Sequence, residues 1–263
     1  MEEYSCVLYT VYQMRGQPLN LRMTVWINYE KGRRYGMKWI KRLCSFIFLC
    51  VLIAGGILLW QGYREYREAL QTKSVEEMAR QIESIDNYTP LQELPQTYLD
   101  AVLAVEDKRF YRHPGIDPIA IGRALVNDIR AGAYVEGGST ITQQLAKNQF
   151  FTQEKKAVRK VAEMFMAFKI ESELDKDKIL ELYVNSIYFG NGLYCVADAS
   201  EAYFGKEPSE MNFDECTLLA GIPNAPSNYN PLASPELARQ RQAQVIEKMK
   251  KAGYLEEDDE NPD

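Results

Sequence analysis

Residues 43–60 read LCSFIFLCVLIAGGILLW, and no other stretch limits the fold of this chain as strongly. A run of about 18 uncharged residues is long enough to cross a bilayer core as a helix. Within lipid each backbone N–H and C=O must be satisfied inside the segment, which leaves one isolated run only the α-helix. Arg33, Arg34, Lys38, Lys41 and Arg42 crowd its N-terminal side, and Trp39 and Trp60 mark its two ends. Basic flanks stay in the cytoplasm and aromatic rings settle at interfaces. Residues 1–42 are therefore expected to form a cytoplasmic basic segment, with residues 61–263 outside the cell membrane. No small-residue cleavage site is convincing, so the run reads as an uncleaved signal anchor. A buried core helix would explain the apolarity but not the basic flank. Residues 1–36 show no clear period and no motif, and Met37 opens MKWIKRL, which looks like a natural start for such an anchor.

A chain of 263 residues with 46% hydrophobic content has room for one sizeable folded domain beyond the anchor. The net charge of −6 argues against a nucleic-acid partner. A single histidine, with no HExxH and no CxxC, excludes a multi-histidine metal centre. Cys44 and Cys50 fall within the apolar run and Cys6 on its far side, so only Cys195 and Cys216 are left for the folded part. Two buried thiols are a simpler reading of that pair than a disulfide.

The rest is mainly α in pattern, without persuasive strand alternation. Residues 61–90 read as a helical stalk, with Tyr63, Tyr66 and Leu70 on one face and Val75, Met78, Ile82 and Ile85 on another. Pro90 and Pro95 break it. Residues 91–253 form the expected domain, and 254–263 an acidic solvated tail. Helices are predicted up to Pro114, over 118–135 as a moderately apolar segment suited to a membrane surface, and from the glycine-led 136–148 onward. Further helices are predicted at 155–171, 176–189, 197–203, 214–220 and from 235 on. GNG at 190–192 predicts a sharp turn.

The first chemical signal is AVEDKRFYRHPGID at 104–117. Leu99, Val102, Leu103, Glu106 and Phe110 fall on one helical stripe, and Asp107, about 100° around, is expected to reach water. A glutamate on a buried stripe is costly as an anion unless it is paired. It is either a structural ion pair or a proton-transfer group tuned by partial burial. GGSTITQQ at 137–144 packs glycines, hydroxyls and amides into a helix start, with Ser139 or Thr140 as its cap. A capped helix accounts for Ser139 but not for Gln143, Gln144 and Lys147 together. Lys147, Lys155, Lys156, Arg159 and Lys160 then crowd a chain that is otherwise acidic. A surface salt-bridge lattice is one reading; a site for a di-anion such as pyrophosphate is the other. Glu163 would orient those cations or act as the second carboxylate of a two-acid site. In 175–192, Ile179, Leu180, Tyr183, Val184 and Ile187 form a core stripe, while Lys178, Glu181 and Asn185 lie on another face.

Taken in order, EDKRFYRHPG at 106–115, GGSTITQQLAKN at 137–148, RKVAE at 159–163 and KILELYVNSIYFGNG at 178–192 resemble the motifs of the peptidoglycan glycosyltransferases. That family occurs as monofunctional enzymes and as N-terminal domains of bifunctional penicillin-binding proteins. The resemblance covers about residues 70–250. In the family's fifth motif, paired arginines precede a Val-Leu; here Arg241 is followed by Gln242, then Val245 and Ile246. The sequence carries no Ser-x-x-Lys and no Lys-Thr-Gly, so it looks like the monofunctional form.

The resemblance implies a lysozyme-like helical fold with a membrane-dipping flap, and lipid II as substrate. It makes Glu106 the general base that takes the proton of the acceptor 4-hydroxyl. Glu163 is then a second catalytic carboxylate. Lys147, Lys155 and Arg159 would hold the pyrophosphate, and Ser139, Thr140, Gln143 and Gln144 would line the cleft. Asp107, Phe110, His113, Gly138, Asn148, Lys160, Glu181 and Asn185 are the further positions expected at the substrate, although His113, set in HPG, reads more simply as the residue that ends a helix and fixes a turn. No cofactor is identified; a divalent cation, Mg or Mn, would suit the pyrophosphate. The implied partners are lipid II, the growing glycan strand, the membrane and other cell-wall synthesis proteins. A muramidase or lytic transglycosylase acting on existing glycan is the competing enzyme, and a membrane-anchored scaffold the non-catalytic one. The basic cluster argues against the lytic enzyme, whose neutral leaving group needs no cations.

Overall fold

A computed structural model describes residues 19–133, 137–152 and 157–256, with side chains from residue 38 onward. Ten α-helices are described: α1 (Leu19–Thr72), α2 (Val75–Glu83), α3 (Gln96–Glu106), α4 (Pro118–Ala131), α5 (Ile141–Phe150), α6 (Ala157–Glu173), α7 (Lys176–Val184), α8 (Val196–Phe204), α9 (Phe213–Gly221) and α10 (Pro235–Ala252). Among the described residues no strand forms; one isolated bridge joins Gly190 and Leu193. The mainly helical fold is as the sequence predicts.

The chain divides into two units, Met1–Ile57 and Leu58–Asp263. In the first, α1 exposes Phe46, Ile47, Phe48, Leu52 and Ile53 on all sides, as a helix built for lipid does. The stretch Lys38–Thr72 is long and apolar enough to cross a membrane.

In the second unit the expected stalk is instead packed against the domain. α1 ends at Thr72, and Ser74 caps α2 by accepting the Glu77 N–H at 3.0 Å. Val75, Met78, Ala79 and Ile82 are all buried in the same core as α3, α5 and α7. An apolar stripe of that length cannot stand in water at no cost, and the core covers it. Further back, Tyr63 and Tyr66 stack on Phe165 of α6, and a Cβ on Gly62 would fall 2.5 Å from Val161 Cβ.

The core has two packed sets. α3 lies against α9 and α10, and α5 lies against α6 and α7. Gln242 belongs to the first set. Its amide donates to Asp214 O and Oδ1 at 2.9 Å and to Thr217 Oγ1 at 3.0 Å. The position where the resemblance expects a second arginine thus binds α10 to α9. Arg241 beside it donates to Gly221 O at 3.3 Å. The turn after α7 is built from three consecutive left-handed residues, Gly190, Asn191 and Gly192, which explains its glycines.

Cys195 and Cys216 are buried free thiols. Burial, with the Glu215 charge adding to it, pushes Cys216 up to about 12, and burial raises Cys195 as well. A thiol reacts as its thiolate. Iodoacetamide at pH 8 should therefore leave both unmodified in the native protein and alkylate both in denaturant. Mass spectrometry of the two peptides checks this, and rapid native labelling of either would contradict the packing.

Candidate active site

The site is organised around the first two turns of α5. Thr140 is the cap: its Oγ1 accepts the Gln143 N–H at 3.1 Å, and Gln143 Oε1 accepts the Thr140 N–H at 3.1 Å. This reciprocal capping box accounts for Gln143, which is 1% exposed and so does not face a substrate as expected. Thr140 also donates to Gly115 O at 2.6 Å, tying the second motif to the first. Gly138 allows the approach to α4: a Cβ there would lie 3.1 Å from Ile121 Cα.

α3 ends at Glu106, and Asp107 leaves the helix with φ −156°. The 100° spacing that would have put Asp107 in water no longer applies, and its side chain turns inward. It is 6% exposed, accepts from His113 Nε2 at 2.9 and 3.0 Å, and accepts the Ile141 N–H at 3.1 Å. His113 Nδ1 accepts the Gly115 N–H at 3.2 Å. Both ring nitrogens are thus used within the protein, so His113 fixes the turn and presents nothing to a ligand. Phe110 lies outside α3, in the 3-10 turn Phe110–Arg112. It is buried with Lys176 Nζ over its ring at 4.3 Å, and is likewise a core residue.

Glu106 itself is half-buried. Its Oε2 accepts from Gln144 Nε2 at 2.6 Å, and its Oε1 is shielded from solvent with no hydrogen-bond partner. Such an orphaned acceptor is rare and calls for an explanation. Tyr183 of α7, assigned to the core stripe by its spacing, carries its hydroxyl to 3.3 Å from Gln144 Oε1. Nothing in the periodicity distinguishes it from a wholly apolar core residue.

One turn beyond Gln144, Lys147 brings the positive groups to the same helix. Burial pulls its ammonium below the ordinary lysine value; Glu163 and Glu106 oppose that shift, and Lys160 and Arg159 reinforce it. Lys147 thus lies within electrostatic reach of Glu106, Glu163, Arg159 and Lys160. Glu163, 1% exposed, sits between Arg159 and Lys160. Lys160 Nζ lies 3.0 Å from Glu163 Oε2 and donates to Ser139 Oγ at 2.7 Å. Arg159 Nε lies 2.8 Å from Glu163 Oε1, off the N–H direction, so the contact is an ion pair without a directional hydrogen bond. Arg159 also lines a cavity of about 460 Å³ with Arg64, Thr152 and Val158. Asn148 is half-buried on α5. Lys155 lies outside the described residues.

Glu181 and Asn185 do other work. Glu181 Oε2 accepts the Leu91 N–H at 2.7 Å, and Oε1 accepts from Lys178 at 2.6 Å and from Tyr88 Oη. Burial alone would push its carboxyl up; these donors outweigh burial and hold it below the usual value. Asn185 accepts the Thr89 N–H at 2.9 Å and donates to Thr89 O at 2.8 Å. Both side chains hold residues 88–91 against α7.

A family model described as transglycosylase matches residues 72–250. The chain is 49% identical over 168 residues to penicillin-binding protein 1A of Aquifex aeolicus, covering 64% of this chain and 23% of that protein. It is 47% identical over 165 residues to penicillin-binding protein 1F of Bacillus subtilis, covering 63% of this chain and 23% of that protein. With a Cupriavidus necator protein named as a transglycosylase it shares 40% identity over 227 residues, 82% of this chain and 93% of that protein. The chain thus spans about a quarter of the penicillin-binding proteins that it matches. With more than half its length matched, the chain belongs to the transglycosylase family.

Proposed function

We propose that this protein is a membrane-anchored peptidoglycan glycosyltransferase that polymerises lipid II and releases undecaprenyl pyrophosphate. The observation that supports it most is the meeting of two chemistries along α5. An orphaned carboxylate oxygen on Glu106 stands beside Gln144, and Lys147 carries the electrostatics of Arg159, Lys160 and Glu163 to it. A sugar hydroxyl is a poor nucleophile, and a positioned base removes its proton as the oxygen attacks the donor C1. The C1–O bond breaks with inversion, and pyrophosphate leaves with the electron pair. Negative charge grows on that leaving group, so fixed cations stabilise the transition state more than the ground state. Glu163 is the carboxylate that keeps Arg159 and Lys160 in place. Because both of its oxygens face cations, it does not fit as a metal ligand, and the steps above use none.

α4 supports the membrane part of the reading. Asp117 caps it at the Ala120 N–H, 2.8 Å, and is gripped by Arg109. Ile119, Ile121, Leu125, Val126 and Ile129 are exposed along it. An apolar face of that kind beside the glycine-led motif suits the lipid interface, where the substrate's tail resides. The N-terminus is then cytoplasmic and the domain extracytoplasmic.

The test is incubation of the full chain, in detergent or vesicles, with lipid II and separately with preformed glycan. Strand growth with pyrophosphate release is expected. Shortening of preformed glycan without growth would replace this reading with a lytic one.

A further inference from the structure

We propose that Tyr183 fixes the orientation of the Gln144 amide, and that Gln144 thereby gives the two oxygens of Glu106 separate tasks, Oε2 held and Oε1 left to take the acceptor's proton. This rests on the glycosyltransferase reading above. Gln144 and Tyr183 are then positioning residues, and neither needs to touch the sugar.

Three helices supply the relay. Tyr183 Oη on α7 lies 3.3 Å from Gln144 Oε1 on α5, and Gln144 Nε2 lies 2.6 Å from Glu106 Oε2 at the end of α3. A carboxamide can be turned over at little cost in shape, so its orientation is decided by what faces each end. With the amide reversed, its oxygen would meet the carboxylate oxygen. That contact holds only if Glu106 carries a proton, and a protonated base cannot accept another. The Tyr183 hydroxyl, donating to Gln144 Oε1, favours the productive orientation. Burial, with the Glu106 charge adding to it, pushes that hydroxyl well above its ordinary value, so it stays a donor at every working pH.

The orphaned Oε1 completes the case. Leaving a buried acceptor unmatched is unfavourable; Oε1 is shielded from solvent in the free protein, so it is matched by an acceptor hydroxyl only as substrate binding opens that side of the carboxylate. The hydroxyl O–H bond then breaks, its proton goes to Oε1, and its oxygen pair forms the new bond to the donor carbon as the C1–O bond to the leaving lipid pyrophosphate breaks.

Other charged groups surround Glu106. Lys147 faces it from α5, with Arg159, Lys160 and Glu163 of α6 behind it. Asp107 follows in the chain and, like Glu106, acts on Tyr183. From α10, Lys248 donates to Val105 O at 3.1 Å. All remain in the variants below, so they set where the pH profile lies but not how it moves.

The experiment is kcat/KM against pH for lipid II polymerisation by the full chain, comparing wild type, Gln144→Met and Tyr183→Phe, both close in volume to the originals. A donor to a carboxylate favours its charged form. Removing it in Gln144→Met should move the acidic limb of the rate profile upward. Tyr183→Phe should move the same limb the same way by less, and recover most of its rate above the limb. A purely structural role would lower the rate evenly and leave the limb in place. An unmoved limb in either folded variant, with Glu106→Gln inactive, overturns the relay and leaves the glycosyltransferase reading standing. Should Tyr183→Phe not fold, Gln144→Met, altered at a half-exposed position, decides alone. An active Glu106→Gln would instead remove the reading on which the relay rests.

Discussion

Glu106→Gln should yield a folded protein whose glycan polymerisation falls by roughly 10²–10⁴-fold, the usual contribution of a positioned general base. The substitution keeps volume and reach. Its amide oxygen can still accept from Gln144 Nε2, now 2.6 Å from Glu106 Oε2, so the link between α3 and α5 survives. What is lost is the basic lone pair on the second oxygen. Stability should hold or rise, because the wild type keeps that oxygen shielded and without a partner. Lipid II turnover and thermal unfolding, measured on the same preparation, separate the two effects. Undiminished turnover would remove Glu106 from the mechanism.

Asp107→Ala should act in the opposite way, through stability. The carboxylate takes donors from the His113 ring and from the Ile141 N–H, and Ile141 is fully buried. Truncation leaves both donors without an acceptor, at about 1–3 kcal/mol each. The sum is a large share of an ordinary domain's stability. A fall in Tm of roughly 5–15 °C is expected for a domain of this size. His113→Ala should also lower Tm, because it removes a buried ring and leaves the Gly115 N–H unmatched, while Asp107 keeps the Ile141 N–H. If Asp107 bound substrate instead, the Ala variant would raise KM and keep its Tm. Differential scanning fluorimetry beside Michaelis kinetics distinguishes the two results.

The contrast between these neighbours shows what could be read in advance. Glu106 was legible because its stripe, Leu99, Val102 and Leu103, is a local pattern that points an acid toward the core. Asp107 was not, because helical spacing places a side chain only while the helix continues. A helix that stops one residue earlier turns the next side chain to a new direction, and no count of spacings reveals where the last turn ends. Gln143 and Gln144 are adjacent and chemically identical, yet one closes a capping box and the other donates to Glu106. Glu181 and Asn185 shared a face as expected, but that face meets residues 88–91, far away in sequence.

By itself the sequence determined the long apolar helix, the helical class, most helix positions and the family motifs, because hydropathy, periodicity and capping act over a few residues. Tertiary structure alone decided which polar groups find partners inside the protein: Asp107, His113, Glu181 and Asn185 do, and one oxygen of Glu106 does not. The reason is physical. A hydrogen bond or ion pair is settled by the distance between elements that packing brings together, and partners such as Asp107 and Ile141, or Glu181 and Leu91, lie tens of residues apart in the chain.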